Sequence, residues 1–362
     1  MDRRGETLTD IDRPDLSRVD PQIKAYIETL ESEVERLQKR KRELLVTTET
    51  DIESTLPLEP SELPTTINII SITASGIAKR TPRHLYNRQR RGGMGIFDLE
   101  APGDEYPSII TMADEGQSLL LFTNLARTFR IPVSSLLEAP IRARGQSIFN
   151  RSPLQPEEYL VAALPDLVKG SIAMVSQRGW VRILRHHVFG EYMKPGTAMF
   201  DPGKFGPMAG ACWTPGDGDL LIVTRGGHGI RFSFEKLAPQ GGPGIRLEDE
   251  DVAVAITPVN QESHVFMISA DGRGTIRSMA GFNPNKSAGG SGKIAINSEK
   301  LVGAMTVDEI EDIFLISRLS KIIRFMAAEV PVKEGVVQGV NCMSLRADEV
   351  VSLTTTGLIN MS

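Results

Sequence analysis

The stretch Gln89-Arg90-Arg91-Gly92-Gly93-Met94-Gly95 places two arginines and three glycines within seven residues. From Ile77 to Gly95 the sequence has six Lys or Arg residues and no acidic residue. Glycine lets a backbone turn tightly or approach another chain closely, and adjacent guanidinium groups match phosphate oxygens. Two interpretations are open: a glycine turn with solvated arginines, or a turn that holds cations against an anionic polymer. The rest of the chain has to decide between them.

Composition indicates a protein with a substantial core and no membrane span. Of 362 residues, 40% are hydrophobic and 24% are charged, which is close to the average for globular proteins. The sequence has no apolar run of membrane-spanning length and no signal-peptide pattern at its start. Its two cysteines, Cys212 and Cys342, give no disulfide framework and no zinc-site spacing. We therefore expect a cytoplasmic protein without a metal or another cofactor.

The charge is distributed unevenly along the chain, although the net charge is −5. Residues 77–205 contain 17 Lys and Arg against 12 Asp and Glu, whereas residues 206–362 contain 14 against 18. Such asymmetry informs the choice of partner rather than the fold. The basic half favours an anionic partner.

The N-terminal part is predicted to contain one helix between two irregular segments. Residues 1–19 are polar and predicted to be a disordered tail, and residues 46–65 are a linker rich in Thr and Pro. Asp20 and Pro21 are typical of a helix start over 20–45. A heptad seam predicts a short coiled coil, which either self-associates or docks onto another protein or the main domain. The seam consists of Ile23, Ile27, Leu30, Val34, Leu37 and Leu44.

From residue 66 onward the sequence repeats six times. Each unit has an apolar run ending in Ser or Thr, a turn, and a basic residue in a second β-rich run. The Ser/Thr anchors are Thr73, Thr123, Ser176, Thr224, Ser269 and Ser317, spaced by 50, 53, 48, 45 and 48 residues. A landmark glycine follows each anchor after 20–23 residues, at Gly95, Gly145, Gly196, Gly244, Gly292 and Gly339.

These repeats predict an all-β fold. A β-rich unit of about 50 residues cannot bury its own apolar face, so the units must pack around an axis. Six such units predict a six-bladed, propeller-like ring over 66–362, preceded by the short helix. The run 349–353 is expected to pair near the first blade and close the ring.

The seven-residue stretch and the repeats resemble the C-terminal domains of the DNA gyrase A protein and of its topoisomerase IV relative. Two further motifs are similar to that family: Thr73-Ala74-Ser75-Gly76 followed by Arg80, and Ala288-Gly289-Gly290-Ser291-Gly292-Lys293-Ile294-Ala295-Ile296. The resemblance covers roughly 66–362. It implies a β-pinwheel, whose blades exchange strands and whose basic outer rim binds, bends and wraps double-stranded DNA. It also implies that the stretch is the gyrase box, which joins the first blade to the last.

Carrying the box over residue by residue gives Gln89, Arg90, Arg91, Gly92, Gly93 and Gly95 as DNA-binding candidates. The sixth box position departs from the family, which usually has Lys or Arg where this chain has Met94. Losing one phosphate contact should lower, by about one unit, the slope of the logarithm of the DNA-binding constant against the logarithm of the salt concentration. Further candidate contacts are Arg80, Arg83, Arg88, Arg127, Arg130, Arg142, Arg144, Arg178, Arg182 and Arg185.

No catalytic motif accompanies the resemblance. None of the five tyrosines follows an arginine, as the catalytic tyrosine of the gyrase core does, and no Walker-type loop is present. We expect a nucleoid-associated, stand-alone wrapping domain that does not cut DNA and that acts alone or with a gyrase or topoisomerase IV core. The alternative is a protein-interaction scaffold.

An enzymatic role is disfavoured by the remaining polar motifs. Neighbouring strand residues face opposite ways, so His186 and His187 cannot chelate a metal together. The acidic run 248–251 is predicted to be a solvated turn, and Trp180 and Trp213 are predicted to pack within blades.

Overall fold

The computed structural model describes residues 20–25, 27–32, 34, 62–149, 153–167 and 170–357. The chain divides into two compact units, residues 1–59 and 60–362. The predicted tail and all but the last residues of the predicted linker lie outside the described residues. Among the helices that the structure describes, none has the length and apolarity needed to cross a bilayer.

The first unit contains helix α1, described over 21–34 except at positions 26 and 33. The Asp20 carboxylate accepts a hydrogen bond from Gln22 N at 2.8 Å, so Asp20 is the predicted N-cap. The predicted end of the helix, 35–45, lies outside the described residues. Three heptad positions are exposed, and the partner that would cover them stays a prediction. They are Ile23, Leu30 and Val34, at 54%, 47% and 42% exposure.

The second unit consists of short strands in six repeats. The first repeat has β1 (Ile67–Thr73), β2 (Ile77–Pro82), β3 (Ile96–Phe97) and β4 (Leu99–Glu100); the second has β5 (Pro107–Asp114), β6 (Ser118–Thr123), β7 (Arg127–Pro132), β8 (Ala143–Arg144) and β9 (Gln146–Ser147); the third has β10 (Leu160–Pro165), β11 (Ser171–Ser176), β12 (Trp180–Arg185), β13 (Thr197–Ala198) and a short helix α2 (Pro202–Phe205). The fourth has β14 (Met208–Thr214), β15 (Asp219–Thr224), β16 (His228–Ser233), β17 (Gly242–Pro243) and β18 (Ile245–Arg246); the fifth has β19 (Ala253–Val259), β20 (His264–Ser269), β21 (Arg273–Ser278), β22 (Gly290–Ser291) and β23 (Lys293–Ile294); the sixth has β24 (Leu301–Thr306), β25 (Asp312–Ser317), β26 (Lys321–Met326), β27 (Val332–Lys333) and β28 (Val340–Asn341), and β29 (Val350–Thr355) follows. A 3₁₀ turn follows the second hairpin strand of each repeat, at Arg83–Leu85, Val133–Ser135, His186–Phe189, Phe234–Lys236, Met279–Gly281 and Ala327–Glu329.

Each blade is a hairpin completed by strands of the next repeat. In blade 1 the strand order is β5-β1-β2-β9, and β5 and β9 belong to the second repeat. The inner strand of one blade therefore runs directly into the hairpin of the next. The other blades follow the same order: β10-β6-β7-β13, β14-β11-β12-β17, β19-β15-β16-β23, β24-β20-β21-β28 and β29-β25-β26-β3. In the fifth blade, β27 also pairs with β21, in parallel. The predicted all-β, six-bladed ring with exchanged strands is confirmed.

The Ser/Thr anchors recur because their hydroxyls close the hairpin turns. Thr73 Oγ1 accepts a hydrogen bond from the amide of Ile77, the first residue of the second strand, at 3.0 Å. In the fifth hairpin, Ser269 Oγ bonds Ser298 Oγ at 2.7 Å instead. In the other four hairpins the anchor hydroxyl accepts the same hydrogen bond, from the backbone amide four residues later, at 3.1–3.2 Å. These anchors are Thr123, Ser176, Thr224 and Ser317.

Apolar side chains fill every joint between neighbouring blades, including the joint between the last and the first. There, Ile69 and Ile110 of blade 1 pack with Phe314 and Ile322 of blade 6 in one buried cluster. The inner strands surround a central channel of about 520 Å³. The ring is thus closed by the same packing that joins consecutive blades.

Two strands bring the ends of the ring together. The predicted closing run, 349–353, forms β29, which pairs with β25 of blade 6 and lies against blade 1, where Ile110 N donates to Ser352 Oγ at 3.1 Å. The second strand is β3, which comes directly after the box and is the outer strand of blade 6. The box therefore joins the first repeat to the last blade, as the resemblance implied.

Candidate nucleic-acid interface

The stretches around the six landmark glycines form the outer perimeter of the ring, and we call them rim segments. Each gives its outer strand to the preceding blade, next to that blade's hairpin turn; Ile96 and Phe97, for example, pair with Ile322 and Lys321. The rim segments therefore follow the hairpin-turn edge of the blades. They are residues 89–97, 140–147, 191–198, 240–246, 288–294 and 333–341.

The fold dictates two of the three box glycines. Gly95 has φ +72°, and a Cβ there would lie 2.7 Å from the carbonyl oxygen of Ile322. Gly92, three residues earlier, has φ +82°, a region that few side chains adopt. The same position has a positive φ in three other rim segments, at Arg142, Gly241 and Gly289. These glycines therefore serve the ring, whatever the arginines do.

The two box arginines lie in different surroundings. Arg90 is exposed, and its guanidinium has no polar partner among the residues that the structure describes. Arg91 is half-buried, with Nε donating to the carbonyl of Glu329 at 2.9 Å and Nη1 donating to that of Asn341 at 2.6 Å. Gln89 is also half-buried, and its backbone amide donates to the carbonyl of Arg324 at 2.7 Å. Of the two box arginines, it is Arg90 that presents an uncommitted charge to solvent.

The arginines that define the repeat point into the ring. Arg80 is 7% exposed and forms ion pairs with Glu115 and Glu138 at 3.1 and 2.7 Å. Its counterpart in the sixth repeat, Arg324, is 1% exposed and donates to the carbonyl of Tyr86 at 2.9 Å, across the closing joint. These guanidiniums stabilise blades and joints, so Arg80 has a structural role that accounts for its charge.

Five other candidate arginines of the first three repeats are also engaged within the ring. Arg130 pairs with Asp166 at 2.8 Å, and Arg182 donates to the carbonyl of Met199. The remaining ion pairs are Arg83 with Glu62 and Arg88 with Asp312, both at 2.9 Å, and Arg127 with Glu158 at 2.5 Å. Sequence periodicity predicted arginines in strands but not their direction, because an inward-facing arginine and a solvated one fit a hairpin pattern equally well.

Four of the candidate arginines besides Arg90 are exposed: Arg142 and Arg144 in the second rim segment, Arg178 in a hairpin turn beside the rim, and Arg185 at the opposite end of β12, where it precedes the 3₁₀ turn. Arg142, Arg178 and Arg185 have no polar side-chain partner within the described part of the chain. Arg144 is 82% exposed and forms an ion pair with Glu100 at 3.1 Å, which contributes little because water surrounds it. These side chains and Arg90 are the predicted contacts that remain available to a ligand.

Besides Lys333 at the start of the sixth rim segment, sequence reasoning missed three exposed cations in the later rim segments: Lys194, Arg246 and Lys293. Each lies within two residues of a landmark glycine, at Gly196, Gly244 and Gly292 respectively. Proximity to a landmark was the signal that could have found them, since the landmark marks the perimeter.

One rim region has the opposite charge. The acidic run Glu248-Asp249-Glu250-Asp251 directly follows the fourth rim segment, and its first three residues are exposed, as predicted for a solvated turn. Asp251 Oδ1 accepts a hydrogen bond from Gly226 N in the hairpin turn of blade 4 at 2.9 Å, so the run lies at the same edge as the rim.

Met94 in the box is 51% exposed.

A buried polar cluster anchors the far end of the box. The Asp98 carboxylate is fully buried, pairs with Lys79 at 2.7 Å, and accepts hydrogen bonds from Ser71 Oγ and Tyr86 Oη, both at 2.6 Å. Burial lowers the pKa of Lys79 against the attraction of Asp98, and burial raises the pKa of Tyr86. Because every member has a partner, the cluster fixes the position of the chain after β3.

The other polar motifs form no metal centre in the described part of the chain. His186 Nε2 lies 2.8 Å from Asp166, and His187 is exposed. Trp213 is buried and donates to the carbonyl of Pro165 at 2.6 Å, while Trp180 stacks on Phe205 with ring centroids 3.9 Å apart; both tryptophans pack as predicted. No group of three or more potential metal ligands occurs among the described residues.

Comparison with known proteins identifies relatives of the ring. A family model described as the DNA gyrase C-terminal domain, beta-propeller, matches residues 68–105, 117–165 and 218–260, which contain the first, second and fourth hairpins. The chain is 28% identical over 296 residues to the DNA gyrase A protein of Mycobacterium leprae, covering 76% of this chain and 23% of that protein. It is 27% identical over 294 residues to the DNA gyrase A protein of Chlamydia muridarum, covering 77% and 35%. The chain therefore spans between 23% and 35% of the length of these relatives.

Solved structures share the fold. A DNA gyrase A C-terminal domain superposes with a TM-score of 0.68 at 18% identity, covering 80% of this chain and 99% of that one. A C-terminal domain of DNA topoisomerase IV superposes with a TM-score of 0.56 at 18% identity, covering 81% and 94%. The resemblance predicted from the box and the repeats is thereby confirmed: three of the six hairpins match the DNA gyrase C-terminal domain model, and the ring shares its fold with C-terminal domains of DNA gyrase A and topoisomerase IV.

Proposed function

We propose that the ring binds double-stranded DNA along its rim, through the phosphate backbone and with little dependence on sequence, and that it bends the duplex around itself. The single observation that carries the proposal is the set of exposed cations that the rim segments place at one edge of the ring. The contacts we propose are Arg90, Arg142, Arg144, Arg178, Lys194, Arg246 and Lys293.

The physical argument rests on distributed charge. Bending a short duplex by 40–90° costs on the order of 1–6 kcal/mol, so contacts must occur at several points along the curve. Cations on successive rim segments meet this requirement, whereas a single patch would bind DNA without bending it. Phosphate contacts of this kind position a protein on DNA and read no bases.

The same proposal covers the cellular setting. From its similarity to gyrase A C-terminal domains, we propose that the ring is an accessory DNA-wrapping module for a gyrase or topoisomerase IV core, and that it acts in the nucleoid without strand cleavage of its own. The exposed heptad stripe of α1 supports self-association as the way in which two rings are brought to one duplex.

A second candidate function, a protein-interaction scaffold, is supported by the exposed acidic residues Glu248, Asp249 and Glu250, which would repel DNA and attract a basic protein surface. The two functions predict opposite responses to DNA. A scaffold binds no duplex at low salt, whereas a wrapping module does.

A gel-shift titration at increasing salt tests the proposal. We expect sequence-tolerant binding whose logarithmic salt slope equals about 0.9 times the number of phosphate contacts. Arg90→Gln should lower the slope by about one unit. Lys236→Gln is the matched control, because it removes one positive charge from the 3₁₀ turn at the opposite edge of a blade. Absence of binding by the wild type at low salt contradicts the proposal and favours the scaffold.

Ligation of nicked circles distinguishes wrapping from simple binding. If the duplex follows the rim with one hand, sealing the nick in the presence of the protein fixes a shift in linking number. Binding without a shift would reduce the proposal to bending.

A further inference from the structure

The joint between blades 6 and 1 differs from the other five in having no covalent connection between inner strand and hairpin. Elsewhere the inner strand of one blade continues into the hairpin of the next, as β5 continues into β6. At the closing joint the inner strand is β29, after which no described strand follows. The box crosses this joint, because it leaves the first repeat and leads directly into β3, the outer strand of blade 6.

Arg91 fastens the box to the sixth repeat and to blade 5. Its amide donates to the Glu329 carboxylate at 2.8 Å, Nε donates to the Glu329 carbonyl at 2.9 Å, and Nη1 donates to the Asn341 carbonyl at 2.6 Å. Glu329 also caps its own 3₁₀ turn by accepting from Met326 N at 3.2 Å. One residue therefore connects the first repeat, the last 3₁₀ turn and the outer strand of blade 5.

Backbone hydrogen bonds continue this connection on the C-terminal side of Arg91. Gly92 N donates to the carbonyl of Cys342 at 2.9 Å, and Ser344 N donates to the carbonyl of Gly93 at 2.9 Å. Beyond β3, the buried Asp98 cluster returns the chain to blade 1. The box is thus held at both ends, by Arg91 on one side and by Asp98 on the other.

The arginine at this position is specific to the closing joint. Counting four residues back from the landmark glycine gives Arg91 in the first rim segment. The other five rim segments have no cation there: the equivalent residues are Ile141, Tyr192, Gln240, Ala288 and Gly335. A fork that reaches two carbonyls at once suits a joint that lacks a covalent connection, and lysine cannot reproduce this geometry.

We propose that the two box arginines have separate roles. Arg91 is a positioning residue that latches the ring closed, and Arg90 is the residue that contacts phosphate. The part concerning Arg90 rests on the proposed DNA-binding function, whereas the latch does not. The latch fixes the curvature of the rim across the closing joint, and thereby the path of DNA bound there.

Hydrogen exchange tests the latch without DNA. Arg91→Gln and Arg91→Lys should each accelerate exchange of the Gly92 and Ser344 amides about tenfold or more, the factor expected for losing a charge-assisted hydrogen bond. Exchange should stay unchanged in Arg90→Gln, the matched control one residue away. The lysine variant is decisive because it keeps the charge and loses the fork. Wild-type exchange in both Arg91 variants would overturn the latch.

DNA binding then separates the two arginines. With a duplex of about one helical turn, 10 base pairs, Arg90→Gln should lower the salt slope by about one unit and Arg91→Lys should leave it unchanged. With nicked circles, Arg91→Lys should reduce the linking-number shift. Suppose that Arg91→Gln lowers the salt slope measured with the short duplex while the Gly92 and Ser344 amides exchange as in the wild type. Arg91 would then contact phosphate rather than hold the joint, and the proposal would be overturned. If the wild type binds no DNA, the proposed function fails, while exchange still decides the latch.

Discussion

Arg231 illustrates at the residue scale why a repeated basic residue need not face a ligand. It is 3% exposed, pairs with Asp219 at 2.7 Å, and donates to the carbonyls of Met279 and Phe282 at 2.9 and 3.2 Å, in the 3₁₀ turn of the next repeat. An arginine in this position therefore joins two blades. The Phe282 carbonyl would lose its hydrogen-bond donor without it, whereas the Met279 carbonyl also accepts from Phe282 N at 3.1 Å.

We expect Arg231→Gln to lower the free energy of unfolding by about 3 kcal/mol, because it leaves the Asp219 carboxylate without its cation and the Phe282 carbonyl without its donor. Arg225→Gln, in the hairpin turn of the same blade, is exposed and should change it by less than about 0.5 kcal/mol. Urea denaturation measures both. Equal effects of the two substitutions would contradict the joint role of Arg231.

Met94 occupies the one box position at which this chain departs from the gyrase box, which usually has a cation there. Because its side chain is 51% exposed, a lysine fits there without burial of charge. We expect Met94→Lys to strengthen DNA binding roughly three- to tenfold at moderate salt and to raise the salt slope by about one unit. Met94→Gln, which is neutral, should change neither quantity. A lysine variant with a wild-type slope would show that this position does not face phosphate.

Glu311, at the mouth of the central channel, makes stability depend on pH. Burial raises the pKa of this carboxyl to about 7, and its Oε2 has no hydrogen-bond partner within the described structure. Because the pKa is raised, the protonated carboxyl contributes its full stabilisation of the fold below pH 4.5, the pKa of the unfolded chain. That contribution is lost as the pH rises through about 7. As the pH rises from 5 to 8, we expect the ionisation of Glu311 to lower the free energy of unfolding by on the order of 2 kcal/mol. Glu311→Gln should flatten that part of the pH profile in urea denaturation, and an unchanged profile would contradict this assignment.

At the element scale, the sequence predicts the hairpins well and the outer strands poorly. The hairpins were found because the apolar run, the anchor hydroxyl and the turn all occur within a dozen residues, and the hydrogen bond from Ile77 N to Thr73 Oγ1 is local. The outer strands are two residues long, as in β3 and β9. They pair with a different repeat, so no periodicity in their own sequence reveals them. Only the landmark glycine, which allows the close approach, marked their positions.

The separate roles of Arg90 and Arg91 were beyond sequence reasoning for the same reason. The acceptors for Arg91 are the carbonyls of Glu329 and Asn341, more than 200 residues away along the chain. Both arginines have the same local surroundings in sequence, and only the closure of the ring distinguishes them.

Helix α1 gives the element-scale prediction. Leu30 lies at a d position of the heptad seam and is 47% exposed, so self-association would bury it. We expect the full chain to sediment as an oligomer and Leu30→Lys to dissociate it. Ser32→Lys adds the same charge on the outer face of the helix and should leave the oligomer intact. A monomeric wild type at high concentration would point to docking on another protein.

At the scale of the whole ring, strand exchange explains how six small blades become one cooperative unit. Each blade depends on the next repeat for its inner and outer strands, so no blade is complete alone. The last blade depends in the same way on β3 of the first repeat and is therefore completed across the longest separation in the sequence. We therefore expect the closing joint to form late in folding, because its contacts close the largest loops.

The charge of the whole rim determines how far DNA can follow it. Each of the six rim segments has an exposed cation, but on the fourth segment Arg246 is followed, after one intervening residue, by three exposed negative charges, Glu248, Asp249 and Glu250. Phosphates passing this point meet like charges, so we expect the bound duplex to leave the rim near blade 4. Neutralising the run with Glu248→Gln, Asp249→Asn and Glu250→Gln should strengthen binding of a long duplex and lengthen its footprint. The matched control, Asp217→Asn with Glu262→Gln and Glu309→Gln, removes the same charge from exposed loops at the channel mouth, on the edge opposite the hairpin turns. If both triple variants strengthen binding equally, net charge rather than the rim path governs affinity; if only the rim variant extends the footprint, the acidic run is what ends the DNA path.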